Sequence, residues 1–135
     1  MEIPPKSFTE MKAEILETKP GELMRVRFPF DARFTNPLGA QQGGYIATAI
    51  DNVFGQLSYF TAEGPTVTLD LNTRFIRPFL PKDGSITVEA KVVSRTKQLI
   101  TMHAEILNPE GKLIALSSSQ SMILSDEQKQ RFSKS

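Results

Sequence analysis

The segment that most constrains this chain is residues 36 to 62, NPLGAQQGGYIATAIDNVFGQLSYFTA. Turn residues lead into a Gln-Gln-Gly-Gly step. From Gly44 to about Thr61, the residues Ile46, Ala49, Ile50, Val53, Phe54 and Leu57 recur at i, i+3, i+4 and i+7. That period predicts a helix with one broad apolar face. Asp51 is the only charged residue between Gly43 and Ala62. At ~100° per residue it lies roughly 130° from the centre of the apolar stripe. Its neighbours on that second face, Ala47, Thr48, Gly55 and Ser58, are small and uncharged. Surface helices carry several charges on their outer face. This helix is therefore expected to be enclosed, its bulky face on its own sheet and its small face against a second subunit or a ligand.

An enclosed carboxylate is costly unless it is hydrogen-bonded or paired. The plain explanation of Asp51 is a cap on a neighbouring loop or a bond to an interface arginine. The helix entrance offers another. Gly43-Gly44 lets a ligand approach the backbone, and the first amides of a helix have no acceptor of their own. With the helix dipole they suit an anion or a polarised carbonyl oxygen. A tight turn is the plain explanation of the glycines.

On either side the chain reads as strands. Residues 1–10 form a leader held by Pro4-Pro5, with room for a short helix. Met11 to Lys19 fits helix or strand, and strand from about Ala13 is preferred. Pro20-Gly21 marks a turn. Glu22 to Phe30 alternates, with Met24, Val26, Phe28 and Phe30 on one face. Gly64-Pro65 ends the helix, and four extended segments follow. Thr66 to Arg77 places Val67, Leu69, Leu71, Thr73 and Phe75 on one face. Pro78, Pro81 and Asp83-Gly84 form a break. Ser85 to Arg95, Gln98 to Leu107 and Lys112 to Leu124 are the remaining strands, the last two joined at Asn108-Pro109-Glu110-Gly111. The tail from Ser125 is polar and fits a frayed helix. The pattern predicts an α+β domain: two strands, one long helix, then four strands in meander order.

Composition excludes several chemistries. The chain of 135 residues has a formal net charge of +1, no cysteine and one histidine. No nucleic-acid or membrane partner is expected from that charge. Thiolate catalysis, thiolate metal sites and histidine clusters are excluded, and no cofactor or metal is expected. The first residues lack a signal-peptide pattern and no apolar run approaches ~18 residues, so a cytoplasmic protein is expected. A serine triad would need His103, which falls in a predicted strand without an identifiable partner. Any chemistry must rest on a carboxylate, amides, hydroxyls and backbone N–H groups, which fits hydrolysis of an already activated carbonyl.

The pattern Asn36-x-x-Gly39-x-x-Gln42-Gly43-Gly44, with Asp51 on the following helix, resembles the hotdog-fold acyl-CoA thioesterases of the phenylacetyl-CoA thioesterase type. Their signature is N-x-x-G-x-x-H-G-G followed by a helical Asp or Glu. Residues 67–78, VTLDLNTRFIRP, resemble the family's strand after the helix, with its aromatic-x-Arg-Pro end. The resemblance implies a single hotdog domain over 1–135, core about 13–124, in which a curved antiparallel sheet of about six strands wraps the helix. It implies a homodimer, pairing further into a homotetramer, with active sites at the dimer interface and acyl-CoA as substrate. The Gly43 amide would bind the thioester oxygen, with Gly44 beside it. Asp51 of the facing subunit would act as general base or nucleophile. Asn36 would orient the water or the acyl group, and Thr68 would position water. Gln42 stands where the family has His; its amide can still donate a hydrogen bond. Arg74, Arg77, Lys82, Arg95 and Lys97 are candidates for the CoA phosphates, or a solvated charged edge.

Three other readings stay open. A hotdog protein could hold an acyl thioester without turning it over, because Gln42 replaces His. A hydratase or dehydratase would need a His paired with a carboxylate, which this motif lacks. A purely structural dimerisation domain leaves Asp51 and Gly43-Gly44 unexplained.

Overall fold

The computed structural model describes residues 5–133; Pro4 and the rest of the first four residues lie outside that range, as do the last two. The elements are α1 (Lys6–Glu10), β1 (Glu14–Lys19), β2 (Leu23–Pro29), α2 (Gly43–Ala62), β3 (Thr66–Phe75), β4 (Ser85–Arg95), β5 (Leu99–Leu107), β6 (Leu113–Ile123) and α3 (Asp126–Ser133), with a 3₁₀ turn at Pro81–Asp83. The α+β class and the single long helix are as expected. Met11 to Lys19 resolves into strand from Glu14.

All six strands form one antiparallel sheet in the order β1-β2-β4-β5-β6-β3. The expected meander therefore holds only for β4, β5 and β6. The link from β3 to β4 carries Pro78 and Pro81, which have no N–H for a ladder. It crosses over, so β4 pairs with β2, and β3 lies against β6 on the far edge. Phe79 anchors the crossover. It is buried, with its ring 5.2 Å from that of Phe30, edge to face.

One face of the sheet packs on α2. Ile46, Ala49, Ile50, Val53, Phe54 and Leu57 are at most 3% exposed, the stripe the helical period predicts. Opposite them lie Met24, Val26 and Phe28 of β2, Ile86, Val88 and Ala90 of β4, and Ile100, Met102, Ala104 and Ile106 of β5. Burial of that size is worth ~1.5–3 kcal/mol for each large apolar side chain, so this layer holds helix and sheet together. No helix among the described residues is long and apolar enough to cross a membrane.

β3 departs from simple alternation. Its pairing with β6 shifts between Thr68 and Asp70, a β-bulge, and a bulge changes which side chains share a face. Before it, Thr66 and Thr68 point to the helix: Thr66 Oγ1 lies 2.6 Å from Ser58 Oγ, and Thr68 Oγ1 bonds Asp51. After it, Leu71 and Phe75 take the helix side. Leu69, expected on the face of Leu71 and Phe75, is 52% exposed at the bulge. The predicted single apolar face of β3 is thus split. Its helix side is polar near Asp51 and apolar near Gly43. Ser119 Oγ donates to Asp70 O at 2.7 Å, and Gln120 N to Asp70 Oδ1 at 2.9 Å, so side chains replace the ladder bonds the bulge disrupts.

Candidate active site

The loop before α2 is held by groups within itself. Gln41 is buried, and its side chain accepts from Asp31 N (2.8 Å) and donates to Asp31 O (2.9 Å) and Phe34 O. Gln41 N donates to Phe79 O at 2.9 Å, joining this loop to the β3–β4 crossover. The Asp31 carboxylate takes two guanidinium bonds from Arg33, at 3.0 and 2.8 Å, and one from Tyr45 Oη at 3.2 Å. Arg33 therefore holds the Asp31 carboxyl well below the usual carboxylate range. Burial, with Asp31 adding to it, pushes the Tyr45 hydroxyl up to about 12. Tyr45 also stacks on Phe34 at 4.9 Å. These bonds fix the angle at which α2 begins.

Asn36 serves the same loop. Its side-chain oxygen accepts from Leu38 N (3.0 Å) and Ala40 N (3.1 Å). Only its Nδ2 hydrogens are left to reach outward. Leu38, at the tip of that turn, is 90% exposed.

Helix α2 starts at Gly43, with Gln42 as N-cap making no side-chain capping bond. Tyr45 N and Ile46 N donate to Gln42 O. The amides of Gly43 and Gly44 are too close to Gln42 O to bond it and have no earlier helical carbonyl, so they remain donors for a ligand. The two glycines differ in surroundings. A Cβ on Gly43 would lie 3.2 Å from Phe75 Cζ and 3.3 Å from Cε2, whereas one on Gly44 would meet nothing within 4 Å. The strand end of its own chain thus leaves little room for a side chain at Gly43, and Gly44 faces open space.

Asp51 stands two turns further along, half-buried. Thr68 Oγ1 donates to Asp51 Oδ1 at 3.4 Å. Burial raises the Asp51 pKa, opposed by the smaller downward pull of the Thr68 bond. The outer face of α2 is covered only in part: Ser58 is buried against β3, while Thr48 and Gly44 are exposed. So one neighbour of the small-residue face is the chain's own edge strand. Eight residues of helix at ~1.5 Å each separate Gly43 from Asp51 by about 12 Å along the axis.

Four of the five basic candidates divide between the two ends of α2, and Arg74 lies on the outer face of the sheet. Arg77 donates to Leu113 O at 3.1 Å beside the end of β3, and Lys82 sits on the 3₁₀ turn of the crossover. Arg74 lines a groove on the outer face of the sheet with Glu89, Lys91, His103 and Glu105. Arg95 donates to Thr61 O at 3.0 Å, in the last turn of α2, and Lys97 is on the adjoining β4–β5 turn. Eighteen helical residues put Thr61 about 27 Å from Gly43, so in one chain Arg95 and Lys97 are not at the helix entrance. Among the described residues no cluster of His, Asp and Glu could hold a metal ion.

Two residues of the site region escaped sequence reasoning. Gln41 stands beside Gln42, and only the Gln41 side chain is tied into the loop; Gln42 joins it through its backbone N–H to Phe34 O at 2.9 Å. Phe75 was read as one of five residues on a face; the signal was its place in the Phe-Ile-Arg-Pro end of β3, combined with a glycine at the helix mouth.

A six-stranded antiparallel sheet packed on one long central helix, with glycine amides at the helix entrance, defines the hotdog class. Solved structures agree. The PaaI protein of the Escherichia coli phenylacetic acid degradation operon superposes with a TM-score of 0.83 at 21% identity, over 90% of this chain and 86% of that one. A mutant of the phenylacetic acid degradation protein PaaI from Thermus thermophilus gives 0.80 at 24% identity, over 89% and 100%. A candidate esterase of Saccharolobus solfataricus is 29% identical over 108 residues, covering 78% of this chain and 74% of its own. The thioesterase superfamily profile matches residues 40–115, which include α2 and four of the six strands in full or in part, and the chain belongs to that superfamily.

Proposed function

We propose that this chain is an acyl-CoA thioesterase, hydrolysing an acyl-CoA to the free acid and CoA. The observation that carries the reading is the pairing, on one helix, of free N-terminal amides at Gly43 with a half-buried carboxylate of raised pKa at Asp51. Membership of the thioesterase superfamily and similarity to a candidate esterase support the same chemistry. A thioester is activated already, so a base and an oxyanion site suffice.

The ~12 Å between Gly43 and Asp51 of one chain is too long for both to address one carbonyl. The reading therefore requires two copies. β3 is an edge strand of ten residues with one unpaired side, and such an edge is a template for a second chain. Antiparallel pairing of two β3 edges about a two-fold axis brings the helix entrance of one copy towards Asp51 of the other. Ala47, Thr48 and Gly55 let the helices approach. The homodimer is thus part of the proposal, as is its further pairing into a tetramer.

In this scheme the thioester oxygen accepts from Gly43 N–H, with Gln42 donating beside it. Asp51 of the facing copy either takes a proton from water, which adds to the carbonyl carbon, or attacks that carbon itself. Thr68 holds the carboxylate or the water. The oxyanion collapses, the C–S bond breaks, and the sulfur leaves as thiolate, taking the proton Asp51 removed from water on the base route or one from solvent on the nucleophile route; on the latter, water then cleaves the acyl–Asp51 anhydride to release the acid and restore the carboxylate. Asn36 can contribute its Nδ2 hydrogens. Arg77 and Lys82 are the CoA-phosphate candidates nearest the entrance of the same copy; Arg95 and Lys97 would serve a site completed by the other copy.

The test is a hydrolysis panel of short, medium, long and aromatic acyl-CoAs. Turnover supports the enzyme. Binding of acyl-CoA more tightly than free CoA, without turnover, supports the second reading, a thioester-binding protein in which Gln42 has replaced the family histidine.

A further inference from the structure

We propose that Phe75 selects the acyl group by limiting the space beside the carbonyl carbon held at the Gly43 amide. This rests on the thioesterase reading above. Phe75 Cζ and Cε2 stand 3.2 and 3.3 Å from where a Gly43 Cβ would be, and the ring is 47% exposed. It covers the first residue of α2 on one side and is open on the other. A carbonyl oxygen bonded to the Gly43 N–H places its carbon ~3.5–4 Å from that nitrogen. At that range, a substituent of the carbonyl carbon has to pass the ring.

The backbones on both sides of this contact are held by hydrogen bonds. Phe75 pairs with Ala115 of β6, and Ile76 N and Arg77 N both donate to Ile114 O, at 2.8 and 3.2 Å, so the strand end is fixed where the ring leaves it. On the helix side, Gln41 ties the entrance to Asp31, Phe34 and Phe79. The ring fills the space over Gly43, so the gap left to an acyl group is the clearance on the open side of the ring, and with the strand end and the helix entrance held in place that clearance becomes a selection rule. The bulge at Thr68–Asp70 is what turns Phe75 inward; without the shift in pairing, Leu69 and Phe75 would share a face, whereas Leu69 is exposed. A flat ring passes an unbranched or planar acyl group and collides with a second substituent on the α-carbon. One methyl group in such a site changes kcat/KM by roughly 10–200-fold.

The experiment compares butyryl-CoA, isobutyryl-CoA and pivaloyl-CoA on wild type, Phe75→Ala, Phe75→Leu and Phe75→Trp. Expected is a wild-type preference for butyryl-CoA. The isobutyryl-to-butyryl ratio of kcat/KM should rise by about 10-fold or more in Phe75→Ala, less in Phe75→Leu, and fall in Phe75→Trp. The two conservative variants keep an apolar side chain and report if the alanine variant does not fold. Binding of the ketone analogues, in which a methylene separates sulfur from the carbonyl, is measured in parallel and follows the same ranking. Those analogues read the gap even if wild type turns over no thioester, an outcome that would end the enzyme reading alone. Unchanged ratios with rates or affinities that fall together would overturn the proposal. So would a change that follows the thiol, seen when butyryl-CoA is compared with butyryl-N-acetylcysteamine.

Discussion

Thr68 Oγ1 and Asp51 Oδ1 meet at 3.4 Å across the seam between the edge strand β3 and the helix α2. Burial raises the Asp51 pKa and this bond opposes it. If Asp51 acts as base or nucleophile, kcat/KM should rise with pH along an acidic limb above the ordinary carboxylate value of ~3.9. Thr68→Val removes the opposing bond, so its limb should move to higher pH. Asp51→Asn should lose at least ~10²-fold in rate with the fold intact. Near-wild-type turnover by Asp51→Asn would refute its assignment.

Asp51 also makes a prediction about stability. Its folded pKa is raised, so between the unfolded and folded values the native state binds more protons than the unfolded chain. Stability therefore falls as pH rises through that window, and the cost is complete above it. Asp51→Asn should melt higher than wild type at pH 7, and the difference should vanish below about pH 3.9. Melting curves at several pH values check this; a lower Tm for the variant at neutral pH would contradict it.

Gln41 carries structure rather than chemistry. Gln41→Ala leaves Asp31 N, Asp31 O and Phe34 O without their side-chain partner. Asp31 O keeps Phe34 N and Phe34 O keeps Gln42 N as donors, so only Asp31 N is left unpaired and the expected cost is about 1–3 kcal/mol. Urea unfolding measures it, and a loss below ~1 kcal/mol would mean the loop is held by its other bonds.

Gln42, by contrast, is exposed and makes no capping bond. Gln42→Ala should change Tm little but lower kcat/KM by roughly 1–3 kcal/mol of transition-state stabilisation. Gln42→His should keep or raise activity. Equal activity in all three proteins would remove Gln42 from the site.

The free edge of β3 predicts assembly. Leu69 is 52% exposed on that strand, and Leu69→Asp would set like charges against each other across a two-fold pairing. Sedimentation should show dimers or tetramers for wild type and a shift to monomer for Leu69→Asp, with activity lost in step. A fully active wild-type monomer at micromolar concentration would count against the shared site.

The sequence alone determined the elements whose burial is periodic. The α2 stripe from Ile46 to Leu57, and the inward faces of β2, β4 and β5, follow from local rules, because each buried residue sits at a fixed step from the last. It also marked Asp51 as a carboxylate that a polar helix face would not isolate. What it left undetermined depends on which strands meet. The partners of β3, the bulge at Thr68–Asp70 and the contact of Phe75 with Gly43 are set by pairing between residues far apart in the chain. A bulge is one extra residue with no period of its own, so strict alternation put Leu69 and Phe75 together where pairing with β6 separates them. The ends of α2 show the same limit. Arg74, Arg77, Lys82, Arg95 and Lys97 are alike as candidates for one partner, yet Arg74 lies on the outer face of the sheet, and β4 separates Arg95 and Lys97 from Arg77 and Lys82 by nearly the length of a 20-residue helix. Only the tertiary structure could decide that, because distance along the chain and distance in space part company wherever a strand joins the far edge of a sheet.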